Sequence, residues 1–134
     1  MSEREVERVR ETFAAFTRGD AAAFEETLTP EMTWHSALVP LLEKTTYQGP
    51  AEICRLLFEE IPAVLDGFAA EVVDVEDLGD TTLATIRFGG TATSTGLLVE
   101  QTVFQLWRHR DGKGIEMRAY RRREDALEAA GHSE

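Results

Sequence analysis

The chain has 134 residues, enough for one domain around a single core and too few for two. Its 43% apolar and 29% charged residues are an ordinary globular balance, which excludes a disordered or fibrous chain. Twenty-five Asp and Glu against fourteen Lys and Arg give a formal charge of −11, and a field of that sign repels phosphate backbones, so nucleic acid is excluded as a partner.

Ser2 and Glu5 have the spacing of a capping box, and Val6, Val9, Phe13 and Phe16 then recur at helical intervals, which predicts a first helix over 3–18, stopped by Gly19. Asp20 caps a second helix, Ala21 to Leu28, with Pro30 ending it. Met32 to Ser36 reads as a short strand and 37–48 as irregular. Gly49-Pro50 opens a third helix that turns Ile53, Leu56, Leu57 and Ile61 inward and ends or kinks at Pro62. From Phe68 the period becomes two. The segments 68–78, 81–94, 97–109 and 114–122 read as an antiparallel meander, joined by turns at Gly79-Asp80, Thr95-Gly96 and Asp111-Gly112. Gly89-Gly90 inside a strand marks a bulge or bend, and a short helix over 123–130 closes at Gly131. Helices followed by strands predict an α+β layer fold in a single domain, residues 1–134.

Several signals are missing. The first ten residues lack the apolar core of a signal peptide, and no run approaches the roughly 18 apolar residues that span a bilayer. The expectation is a cytoplasmic protein with no membrane partner. Cys54 is the single cysteine and lies in the helical pattern beside Ile53, Leu56 and Leu57, the setting of a buried, inert thiol. His35, His109 and His132 show no metal-ligand spacing, Ser36 and Ser94 lie in no nucleophile elbow, and Gly89, Gly90 and Gly96 form no phosphate loop. No metal and no cofactor are expected. The Arg121-Arg122-Arg123 run reads as a solvated, salt-bridged face.

Several short pieces in fixed order resemble a known family. They are Phe13-Ala14-Ala15-Phe16 with Gly19-Asp20, Leu28-Thr29-Pro30-Glu31 before Thr33-Trp34-His35-Ser36, and Tyr47-Gln48-Gly49-Pro50. Leu106-Trp107 before Asp111-Gly112-Lys113, and Met117-Arg118-Ala119-Tyr120-Arg121 before the last helix, complete the set. Together they resemble the SnoaL-like branch of the nuclear-transport-factor-two-like superfamily, which also holds ketosteroid isomerases, polyketide cyclases and limonene epoxide hydrolases. The resemblance implies a cone-shaped roll: about three helices packed on a strongly curved, mostly antiparallel sheet with a deep apolar pocket. It also implies a homodimer formed through the outer sheet face.

The resemblance does not carry a reaction over. Aligned on the Gly19-Asp20 turn and Trp107, the isomerase tyrosine falls on Thr12, its base on Ser36 and its acid near Val103, so none of the three matches. The Asp-Arg-Asp set of the epoxide hydrolases finds no inward acids on 97–109 or 114–122 either. Strand alternation, with the isomerase alignment fixing the face, turns Gln101, Val103, Gln105 and Trp107 inward, and Met32, Trp34 and Ser36 share a face, as do Met117, Ala119 and Arg121. Trp34, Ser36, Tyr47, Gln101, Val103, Gln105, Trp107 and Met117 are the candidate ligand-binding residues. The two amides would orient a carbonyl or hydroxyl, and the indoles would pack or stack on a planar guest. His35 and Glu100 are the candidate acid–base groups, although their parity points them outward, and Arg87 reads as an outward partner of Glu100. The expected function is binding of a small, largely apolar organic molecule, with cofactor-independent isomerase, cyclase or hydrolase chemistry open to it. The alternative is a noncatalytic ligand-binding or dimerisation module.

Overall fold

The computed structural model describes residues 2–37 and 45–131. Helix α1, Ser2–Thr17, is followed by α2, Ala21–Glu26. Gly19 is left-handed with φ 74°, its N–H bonds Phe16 O, and the N–H of Asp20 reaches back to Ala15 O, the two bonds of a Schellman stop. The Asp20 carboxylate then accepts from the N–H of Ala23 at 3.1 Å, as expected of an N-cap. The Ser2 side chain of the expected capping box lies outside the described ones.

The second helix is shorter than its sequence pattern. Leu28, expected to end it, instead begins β1, Leu28–His35, because Leu28 pairs with Gly114 across the sheet and is buried there. Pro30 sits in the irregular part of that strand, between the paired Leu28 and Thr33, where no ladder hydrogen bond is asked of it. The stretch expected to be irregular carries a short strand: β2, Thr46–Gln48, pairs antiparallel with β1, setting Tyr47 opposite Trp34. The rest of that stretch, 38–44, lies outside the described residues.

Helix α3, Pro50–Arg55, runs on through a π-helical turn, Leu56–Glu60, into α4, Ile61–Val64. Pro62 accounts for the irregularity. It has no N–H to give and its ring would strike the carbonyl four residues back, so one widened turn ahead of it keeps the helix going. Strands β3, Leu65–Asp77, β4, Thr82–Ala92, β5, Leu98–Arg110, and β6, Lys113–Tyr120, form the meander, and α5, Arg123–Ala129, follows.

The sheet order is β2-β1-β6-β5-β4-β3. Every pairing is antiparallel except β1 with β6. Two register shifts in β3, between Asp66 and Ala69 and between Val72 and Asp74, supply local curvature. The concave face holds Met32, Trp34, Ile86, Val103, Trp107 and Met117, all buried against α1 and the α3–α4 helix. On the opposite face Leu83 and Leu106 are covered by Ala126 and Leu127 of α5. The architecture is thus the curved α+β roll that the resemblance implies, with one end of its outer face already covered by the chain's own last helix.

Candidate functional site

The concave side forms a partly open cavity of about 40 Å³, room for about three waters. Its walls come from both layers. Phe13 of α1, with Leu57 and Ile61 from the helix broken by the π turn, closes one side; Trp34, Val103 and Met117 of the sheet close the other. None of the described lining residues is titratable.

Polarity enters the cavity at Ser36 and at Gln105, the latter 5% exposed. The indole Nε1–H of Trp107 donates to Gln105 Oε1 at 2.9 Å. An indole nitrogen only donates, so this bond fixes which end of the amide is oxygen. The NH₂ end is left as the group offered to the cavity, and it has no hydrogen-bond partner among the described residues. Trp107 is itself rigidly held. It is fully buried, meets Phe13 and Trp34 edge-on at 6.3 and 5.7 Å, stacks on His109 at 5.8 Å, and lies over Gly114, where a Cβ would come within 3.1 Å of its ring. A rigid donor thus aims an amide donor into an apolar chamber.

Of the eight ligand-binding candidates, Trp34, Ser36, Val103, Gln105 and Met117 are in the cavity lining. Trp107 lies behind Gln105. Tyr47 is buried on β2 with its phenol pushed above the ordinary range by burial and by the Glu60 and Glu52 carboxylates, and Gln101 is half-buried opposite Phe88. None of these three is among the described lining residues. Phe68, Phe88 and Ile86 line the cavity and were not singled out from the sequence, although the same alternation, extended to β3 and β4, would have turned them inward.

The two acid–base candidates lie elsewhere. His35 is half-buried on the outer face, with Nδ1 3.3 Å from Thr46 Oγ1 and Nε2 4.0 Å from the Glu116 carboxylate. Burial first, then the Arg118 charge, lowers its pKa, while Glu116 opposes them. Glu100 is exposed on β5 opposite Gly89. Arg87 does point outward as expected, but the carboxylate it bonds is Glu71 at 2.9 Å, not Glu100, because Glu71 is its direct cross-strand neighbour. Cys54 is buried in α3 with its thiol pushed up to about 12, chiefly by burial. No His, Cys, Asp or Glu cluster suited to a metal ion occurs among the described residues. Arg122 and Arg123 are paired with Glu124 and Glu76.

The sequence profile of the SnoaL-like domain matches residues 9–117. No curated protein matches the chain. Among solved structures, an NTF2-like protein from Burkholderia thailandensis is 28% identical, with TM-score 0.77 over 87% of this chain and 88% of that one. A protein of ketosteroid isomerase-like fold from Catenulispora acidiphila, in complex with trimethylamine, is 16% identical, with TM-score 0.72 over 95% and 94%. A putative SnoaL-like polyketide cyclase from a Jannaschia species is 19% identical, with TM-score 0.72 over 89% and 85%. At 16% and 19% the likeness is one of fold.

Proposed function

Because the chain belongs to the SnoaL-like domain family, whose fold hosts unrelated chemistries, we propose a function from its own cavity: it binds a small apolar molecule that carries one oxygen acceptor, a ketone or an ether. The unpartnered NH₂ of Gln105, oriented by Trp107, carries the reading. A fixed donor at an otherwise apolar wall favours a guest that brings it an acceptor, which makes an oxygen the favoured head group. A volume of about 40 Å³ is well below the roughly 150 Å³ of a cavity that holds benzene, so the resting pocket suits a guest of about three or four heavy atoms and a five-membered cyclic ketone enters only with displacement of lining side chains. The trimethylamine complex of a protein with the same fold is a precedent for so small a guest. With no titratable group in the described lining, binding and orientation are favoured over proton transfer, and the noncatalytic reading takes precedence over the acid–base one.

The test compares cyclopentanone with methylenecyclopentane, in which CH₂ replaces the oxygen at nearly constant shape. One hydrogen bond of about 1 kcal/mol predicts roughly fivefold tighter binding of the ketone. Gln105→Leu should erase that preference while keeping the folded spectrum. Equal affinities in the unmodified protein would sink the proposal.

A homodimer through the outer sheet face belongs to the same proposal. Residues 81–134, which hold β4 to β6 and α5, carry 7 acids and 8 bases, net +1, whereas β3 alone carries five acids and no base, so a copy docks with little repulsion on the β4–β6 part of the outer face. Light scattering should give roughly twice the 15.0 kDa of one chain; a single-chain mass at micromolar concentration would exclude it.

A further inference from the structure

Phe68 belongs to two spaces at once. It lines the inner cavity and also a surface groove of about 240 Å³ between α1, the π turn and β3, whose other walls include Phe16, Phe58 and Pro62. Leu57 and Ala70 are the other residues common to both, so a thin partition separates chamber from groove. Leu57 is fixed in the helix at 7% exposure, and Ala70 contributes only a methyl. The removable part of the partition is the Phe68 ring.

The ring hangs between two aromatic contacts: Phe16 on the groove side at 5.6 Å and Phe88 on the cavity side at 6.2 Å, both near edge-to-face. Its backbone is irregular. Gly67, immediately before it, has φ 71°, and the β3–β4 register breaks between Asp66 and Ala69, so Phe68 stands in a bulge. Bulges re-aim a side chain, and here the chain also carries the residue freest to turn. On the helix side, the groove wall is the π turn, Leu56–Glu60, in which Phe58 meets Phe16 at 5.3 Å.

We infer that Phe68 is the door between groove and cavity and sets the size of guest admitted. With the ring in place the inner chamber takes only a molecule of a few heavy atoms. With the ring swung out, chamber and groove become one elongated apolar site, long enough for a single-ring ketone such as acetophenone whose oxygen rests on Gln105 and whose ring lies where Phe68 stood. The inference rests on the cavity reading above, and the probe is chosen so that the two can fail separately.

Xenon accepts no hydrogen bond, so its passage into the cavity is indifferent to Gln105. Its exchange rate would be measured by saturation-transfer ¹²⁹Xe NMR on the full chain. Phe68→Ala should speed exchange at least tenfold, Phe68→Leu by a smaller factor and with less disturbance of the core, and Phe68→Trp should slow it. Leu106→Ala loosens the opposite sheet face, where Leu106 packs on α5, and should leave exchange within twofold. Equal rates across the Phe68 series, equal acceleration by Leu106→Ala, or no xenon binding in any of the proteins would overturn the door. Loss of the ketone preference with the xenon series intact would overturn only the Gln105 reading.

Discussion

At the scale of single residues, Trp107 is the hinge of the account, and its stacked neighbour gives the clearest pH dependence. Both ring nitrogens of His109 are buried and without hydrogen-bond partners among the described residues. Burial first, then the Arg8 charge, lowers its pKa to about 4. The unfolded chain, with its imidazole near the usual value of about 6.5, therefore binds more protons than the folded one between those two values. Stability contributed by keeping this ring neutral is full above about pH 6.5 and is lost as pH falls toward 4. His109→Phe, which keeps the stack on Trp107, should show a distinctly smaller drop in Tm between pH 7 and pH 5 than the unmodified protein. Parallel Tm-against-pH curves would contradict this. None of it was legible in the sequence. A histidine on a strand reveals neither the arginine that α1 brings over it nor the indole beneath it.

Among the elements, the turns and strands were the most readable and the helix ends the least. Asp111-Gly112 has both residues at positive φ, 52° and 79°, which is the twist a tight hairpin needs, and local chemistry of that kind is written in two residues. The fate of Leu28 is not. Whether it ends a helix or starts a strand is decided by Gly114, which lies far along the chain, through a parallel β1–β6 pairing that no periodicity announces. Tyr47 was misplaced for the same reason: the short β2 exists because β1 offers it an edge. The sequence marked Gly89-Gly90 as a bulge or bend, but β4 keeps unbroken register with β5 through both residues and the bulge lies in β3, opposite Gly90; what the glycines allow is close backbone approach. A Cβ on Gly89 would sit 2.3 Å from the carbonyl oxygen of Val99, so Gly89→Ala must push β4 and β5 apart. It should cost more than about 2 kcal/mol in denaturant unfolding. Gly96→Ala, in open space at φ 75°, should cost only about 1 kcal/mol. Equal costs would refute the packing argument.

For the molecule as a whole, the charge that first excluded nucleic acid is concentrated in residues 1–80, which hold the first four helices and the acidic strand β3, while the sheet supplies the cavity on one face and, over β4 to β6, a near-neutral surface on the other. Much of the cavity was within reach of strand alternation, because each strand puts every second side chain on the concave face; Trp34, Val103, Gln105 and Met117 were found that way. The helix side of the wall depends on how the layers meet and could not be read from alternation alone. Acid–base chemistry drew attention to His35 and Glu100, and the fold turns both away from the chamber. What remains is one fixed amide donor, beside Ser36, in an otherwise apolar space. Its most direct test is the side-chain NH₂ of Gln105 in a ¹H–¹⁵N spectrum during titration with cyclopentanone. The account predicts a downfield shift of one amide proton with the ketone and none with methylenecyclopentane. Identical shifts with both compounds, or an unmoved Gln105 signal while the ketone binds elsewhere, would contradict it.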